Sequence, residues 1–253
     1  MLERLKVSGL KIKLEKCKFL ATEVKYLGHI VSEDGVKPDP EKTKCLVNYK
    51  APQGVDELRS FLGLASYYRR FIKDFAEIAS LLYRLTSKNV PFVWTKEHET
   101  RFQELKFKLV TAPTLAFPDF TRPFKVDTDA CEYGIGAVIS QEYDGVDKPV
   151  AYFSRSLNKA ERKYHTTEKE ALAIVAAVRQ FRPYLYGHCF TIVTDHKPLK
   201  WLESMQNPPS RVARWIMELQ QYNYTVVYKT GKTHVNADAL PERCMNVIDA
   251  IKL

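Results

Sequence analysis

Phe124-Lys125-Val126-Asp127-Thr128-Asp129-Ala130-Cys131-Glu132-Tyr133-Gly134-Ile135-Gly136-Ala137-Val138-Ile139-Ser140-Gln141 is the stretch from which the fold class can be read. Phe124–Cys131 predicts a strand, Glu132-Tyr133-Gly134 a turn, and Gly134–Gln141 a second strand. Asp144-Gly145 marks another turn, and Pro149–Ser154 a third strand. Downstream, Thr167–Phe181 has the spacing of a long helix, with Leu172, Val175, Ala176, Val178 and Phe181 facing inward. Phe190–Thr194 reads as a buried strand, Ser210–Tyr222 as a helix, Tyr224–Tyr228 as a strand, and the chain from Asn236 as a last helix. That order predicts an α/β fold: a mixed five-stranded sheet with flanking helices.

Upstream the pattern differs. Thr111–Phe124 holds Pro113, Pro118 and Pro123, so it is expected to be extended and to carry a domain boundary. A helix is expected over 96–110, with Phe102, Leu105 and Leu109 on one face. Residues 56–75 place Leu58, Phe61, Leu62, Ala65, Tyr68 and Ile72 at helical spacing, with Asp56 as a cap. Asp39-Pro40 suits the start of a further helix. Lys18–Tyr26 and Leu27–Ser32 read as strands, with a turn at Glu33-Asp34-Gly35. The first half is therefore expected to be mostly helical after an N-terminal β-hairpin.

Composition sets the outer limits. With 253 residues, one or two domains are expected, and 45% hydrophobic content excludes wholesale disorder. The net charge of +9 (39 basic, 30 acidic) suits a polyanionic partner such as nucleic acid. No apolar run approaches the roughly 18 residues that cross a membrane, and no membrane partner is expected. The N-terminus has no signal-peptide core. Cys17, Cys45, Cys131, Cys189 and Cys244 are scattered, with no CxxC pair, which argues against a disulfide framework or zinc knuckle and for a reducing intracellular setting.

Four acids fall where α/β sheets gather ligands: Asp129 in the first strand, Glu170 near the start of the long helix, Asp195 after the fourth strand, and Asp238 at the last helix. Brought together, they would repel unless a cation intervened, and hard divalent metals favour such all-oxygen ligands. Two such ions suit phosphodiester cleavage. Taken singly, Asp195 also reads as a turn residue, Asp238 as a helix cap and Glu170 as an exposed helical carboxylate. Asp127 and Asp129 alternate onto one strand face, and spacing alone does not choose between them.

These residues also carry a resemblance. Asp129-Ala-Cys-Glu-Tyr-Gly-Ile-Gly-Ala-Val, Glu168-Lys169-Glu170-Ala171-Leu172-Ala173, Thr194-Asp195-His196-Lys197-Pro198-Leu199 and His234-Val-Asn-Ala-Asp238-Ala-Leu resemble, in order, the four ribonuclease H motifs of retroelement polyproteins. Lys16-Cys17-Lys18-Phe19, Tyr26-Leu27-Gly28-His29-Ile30-Val31-Ser32 and Phe61 to Ile72 resemble the palm end and thumb of a gypsy-type LTR-retrotransposon reverse transcriptase. The resemblance implies a ribonuclease H-like sheet and four domains or segments: palm end 1–40, thumb-like 41–112, ribonuclease H 113–243 and tail 244–253. It also implies Asp129 rather than Asp127, with Glu170, Asp195 and Asp238, as catalytic metal ligands for two Mg2+ ions, Mn2+ being the alternative. The implied reaction is hydrolysis of the RNA strand of RNA–DNA hybrids, leaving 3′-hydroxyl and 5′-phosphate ends. The implied partners are that hybrid and the rest of a Pol polyprotein, in cytoplasm, virus-like particle or nucleus. The rival readings are a non-catalytic nucleic-acid-binding retroelement remnant and an excerpt of a longer polyprotein with RNA-directed DNA polymerase activity upstream.

Tyr26, Leu27, Gly28 and His29 match the primer-grip hairpin of that family. Lys197, Lys200, Arg211 and Arg214 flank the third motif, and Arg69 and Arg70 interleave with aromatics. All six are candidate phosphate contacts, with Trp201 and Trp215 read as core. Two departures stand out. No Asp-Asp pair occurs in the chain, so no DNA polymerase activity is expected from it alone. Ala239-Leu240-Pro241-Glu242-Arg243 replaces the family's usual Ala-Leu-Ser-Arg, and His234 lies four residues before Asp238.

Overall fold

The computed structural model describes residues 2–194 and 198–228. After a short helix α1 (Leu2–Val7), three strands form an antiparallel meander: β1 (Glu23–Tyr26), β2 (His29–Ser32) and β3 (Gly35–Pro38). The expected hairpin is present and gains this third strand. Its first turn, Leu27-Gly28, has φ of 46° and 73°, the doubly left-handed geometry that matches strand twist. Gly35 has φ of 131°, and a Cβ there would lie 2.1 Å from the Leu115 carbonyl oxygen. Only glycine fits, because Val36 and Leu115 exchange two backbone hydrogen bonds of 2.8 Å beside it.

The helical region follows. α2 (Pro40–Val47) starts at the expected place: Asp39 accepts a hydrogen bond from the Glu41 backbone N–H at 3.0 Å. α3 (Val55–Tyr67) buries Leu58, Phe61, Leu62 and Ala65. Gly54, not Asp56, is its cap. The helix expected to run to Phe75 ends at Tyr67. A 3-10 turn (Arg69–Phe71) and Asp74 at φ 59° separate it from α4 (Phe75–Leu85). Periodicity missed this break because Tyr68, Phe71, Ile72 and Phe75 all still face inward across it. α5 (Lys96–Val110) matches the expected span and is opened by a Thr95–His98 capping box.

The second sheet has the order β6-β5-β4-β7-β8. β4 (Phe124–Ala130), β5 (Gly134–Tyr143) and β6 (Val146–Ser156) are antiparallel; β7 (Cys189–Thr194) lies parallel to β4, and β8 (Asn223–Tyr228) parallel to β7. β6 begins before the expected Pro149. The proline is accommodated on an edge strand, opposite the register shift at Ile139/Ser140. α6 (Thr166–Gln180), α8 (Pro198–Ser204) and α9 (Ser210–Leu219) pack together; α6 lies on β4 and β5. The short helices α7 (Arg182–Leu185) and α8 were not evident in the sequence. The helix expected from Asn236 lies outside the described residues.

Two hydrophobic clusters result. One joins the sheet to α6, α8 and α9; the other is centred on Phe61, Tyr68, Phe71, Phe75 and Phe102 in the helical region. They meet where α4 packs on β5 and β6, and Tyr152 of β6 turns toward the helical cluster.

Candidate active site

β4 sits at the centre of the sheet, between an antiparallel and a parallel neighbour. Asp129 lies near its C-terminal end and is exposed. Register places Asp129 opposite Gly136, and Gly136 opposite Ser154, a row across three strands. The start of α4 covers that row. The Ala76 N–H donates to Ser154 Oγ at 2.9 Å, and the Arg69 guanidinium donates to the Ser154 carbonyl at 2.5 Å. Gly136 leaves room for Asp74: a Cβ on it would lie 3.3 Å from Asp74 Oδ1.

Asp74, Glu77, Asp129, Cys131 and Ser154 thus line a small cavity of about 20 Å³. Burial pushes the Asp74 carboxyl above its ordinary range; the charge of Asp129 adds to this, and Lys73 and Lys108 oppose it. Nothing in the sequence announced Asp74 or Ser154 as neighbours of Asp129. Their approach depends on the left-handed break before α4 and on the packing of α4 against β5 and β6.

Glu170 lies in the second turn of α6 and is 1% exposed, which corrects its reading as an exposed helical acid. It opens a run of nine buried residues, Glu170–Val178, and is the one charged member of it. The helix start is fastened on both sides. Glu168 accepts from the His165 N–H at 3.1 Å and from the Arg211 guanidinium at 2.5 Å, and Arg211 stacks 4.0 Å from the Tyr164 ring centroid. Thr128 and Thr194, at the ends of neighbouring parallel strands, are buried, and their hydroxyls have no hydrogen-bond partner among the described residues. They immediately precede Asp129 and Asp195. Asp195, Lys197, His234 and Asp238 lie outside the described residues, so two of the four expected carboxylates are placed. Among the described residues no three acidic, His or Cys side chains are grouped to hold a metal. The two placed donors are both carboxylates, which fits a hard divalent cation.

The expected nucleic-acid contacts divide. Tyr26 and Leu27 are exposed at the meander tip. Tyr67 and Tyr68 anchor it, their hydroxyls donating to the Leu27 and Gly28 carbonyls at 2.5 and 2.9 Å. His29 is half-buried and stacks on Phe71 with ring centroids 5.4 Å apart. Arg70 is exposed beside Phe71, whereas Arg69 holds Ser154 and Arg211 holds Glu168. Lys200 lies on α8. Arg214 is exposed and belongs to a separate groove. Trp215 is buried and Trp201 packs on the same core.

A mixed five-stranded sheet of this order with flanking helices is a ribonuclease H-like α/β fold. Residues 119–222 match the family model described as the RNase H-like domain found in reverse transcriptase. Over most of its length the chain is homologous to retrovirus-related Pol polyproteins of Drosophila transposons, gypsy among them. It is 46% identical over 232 residues to the Pol polyprotein from transposon 412 of Drosophila melanogaster, covering 92% of this chain and 19% of that one. It is 40% identical over 254 residues to the one from transposon gypsy of the same species, covering 95% and 24%. The chain thus spans about a fifth to a quarter of the length of these relatives. Among solved structures, the foamy viral protease-reverse transcriptase dRH in complex with double-stranded DNA superimposes with a TM-score of 0.76 at 24% identity, over 92% of this chain and 42% of that one. The same viral enzyme in complex with an RNA/DNA hybrid gives 0.72 at 24%, over 91% and 33%. The shared fold therefore takes in the helical region as well as the second sheet.

Proposed function

We propose that this chain is a divalent-metal-dependent endonuclease that hydrolyses the RNA strand of RNA–DNA hybrids. The observation that carries the reading is Glu170, a carboxylate held 1% exposed as the one charged member of the buried run Glu170–Val178, on a helix that packs on the strand bearing Asp129. A buried acid without chemical use is costly, and its retention suits a ligand role. Asp129 and Asp238 would hold one Mg2+ ion, and Asp129, Glu170 and Asp195 the other, with Mn2+ as an alternative. Bound there, such ions supply an activated water and stabilise the leaving oxygen. The chain's own part is positional. The Arg211–Glu168 bond fixes the start of α6, and with it the side from which Glu170 approaches. The contacts of Ser154 with α4 and Arg69 fix the helical region over the sheet, next to Asp129.

The hybrid would be recognised by its shape and phosphates. The anchored tip at Tyr26-Leu27-Gly28-His29 would support one strand, and Arg70, Lys197 and Lys200 would meet phosphates. The setting is intracellular, in keeping with five scattered cysteines and no CxxC pair. Templated DNA synthesis is not part of this proposal, since the chain has no paired aspartates. The test is cleavage of a hybrid labelled on its RNA strand, with magnesium, by the wild type and by Asp129→Asn. Cleavage by the first alone is the expected result. A folded wild type that binds the hybrid without cutting it would make the chain a binding module.

A further inference from the structure

The far end of α6 carries a second cluster of charge, of the opposite sign. Arg179, Arg182 and Arg214 converge on a groove of about 490 Å³ between the α6–α7 corner and α9. Glu218 is the one acid lining it, and Arg179 already takes both its oxygens, at 2.6 and 2.5 Å. Arg182 and Arg214 make no ion pair among the described residues. Arg182 lies 4.9 Å over the Tyr186 ring, and Arg214 only donates to the Ser210 carbonyl of its own helix, at 3.2 Å. The ring and the helix turn hold these guanidiniums in place without neutralising them.

We propose that this groove binds the phosphate backbone of nucleic acid at a point remote from the cutting site. Glu170 and Arg179 are nine residues apart on one helix, about 14 Å, so the groove is separate from the candidate active site. Guanidinium forks match phosphate oxygens bidentately, and two forks lining one groove, neither in an ion pair among the described residues, suit neighbouring phosphates of one strand. An acidic protein surface is the less favoured occupant. Of the groove's apolar side chains only Met217 is well exposed, and protein interfaces draw their affinity from a buried apolar centre. The proposal rests on the hybrid being the chain's ligand, and it does not require that the hybrid be cut.

The test is binding of a labelled RNA–DNA hybrid to the full chain in EDTA, so that cleavage plays no part, across a salt titration. Arg182→Ala/Arg214→Ala is compared with Arg182→Lys/Arg214→Lys and the wild type. Each lost phosphate contact flattens the slope of log affinity against log salt by about 0.9, so the alanine pair should flatten it by about 1–2. Affinity should fall roughly tenfold, since one or two charge-assisted contacts are removed. The lysine pair should keep most of the slope. An alanine pair with unchanged slope and affinity overturns the proposal. So does an alanine pair that binds hybrid normally but loses binding to a polyglutamate peptide, which would make the groove a protein site. Failure of the cleavage reading shows separately, as absence of cutting in magnesium by a chain that still binds.

Discussion

The helical region and the second sheet use burial differently. The helical cluster closes with rings: Phe61, Tyr68, Phe71, Phe75 and Phe102 are at most 1% exposed, and Phe61 and Phe102 meet at 4.6 Å between centroids. Its buried polar groups serve packing; Tyr68 ties α3 to the meander, and His98 closes a helix cap. The sheet region buries Thr128, Ser140, Gln141, Ser154, Glu170 and Thr194. Gln141 is bonded to the backbone around Asp119. Ser154 receives the helical region, and Thr128 and Thr194 end the central strands beside candidate carboxylates. One region is optimised to hold its shape. The other retains polar groups that a shape-only core would replace, and among them Thr128, Ser154 and Thr194 adjoin candidate carboxylates and Glu170 is one.

The largest expected effect that would sharpen this contrast is catalytic. Asp129→Asn removes a charge from an exposed strand end, so cleavage should fall at least a hundredfold while stability stays within about 0.5 kcal/mol of wild type. A gel assay and thermal unfolding on one preparation check both parts. In the helical region the order reverses. Phe61→Ala should cost about 3–5 kcal/mol by opening a cavity among rings, read from denaturant unfolding. Equal losses from the two substitutions in both assays would break the comparison.

At the seam between the regions, Gly35→Ala should cost about 2–3 kcal/mol, because the left-handed backbone and the Leu115 carbonyl both resist a Cβ. Loss of amide-exchange protection at Leu115 would locate the damage. The smallest effect concerns the loop into α6. Glu161 accepts from both terminal nitrogens of Arg155, at 2.7 and 2.9 Å, and from the Asn158 N–H, also at 2.9 Å. The Arg155 hydrogen bond is the main cause of its lowered pKa; the Asn158 bond and the arginine's charge assist, and burial opposes. A lowered carboxylate stabilises the fold above its unfolded value of about 4.3, and that contribution is lost as pH falls through the folded value. Glu161→Gln should therefore cost about 1–2 kcal/mol at neutral pH, with the gap closing in acid. A gap independent of pH would show that the ion pair adds nothing.

Much of this architecture was legible because apolar spacing and turn residues agree. The strands from Phe124 to Ser156 and the helix over 96–110 follow the sequence to within a few residues. The break before α4 was not legible, since a 3-10 turn and one left-handed aspartate keep the inward face continuous. The candidate carboxylates were named from their order in the sequence, and for the two that the structure describes, Asp129 and Glu170, the surroundings were not legible. Burial of Glu170 depends on α6 being enclosed on all sides, and the approach of Asp74 to Gly136 and Asp129 depends on two distant segments meeting. Arg69 and Arg211 looked like phosphate contacts because charge shows in sequence and its internal partners do not.

The most direct test of the central claim is the Glu170→Gln variant, measured for unfolding temperature and hybrid cleavage on the same preparation. If Glu170 is kept for chemistry and not for the core, the variant unfolds at the wild-type temperature or above it and no longer cuts RNA. A variant that unfolds several degrees lower yet still cuts would contradict the account.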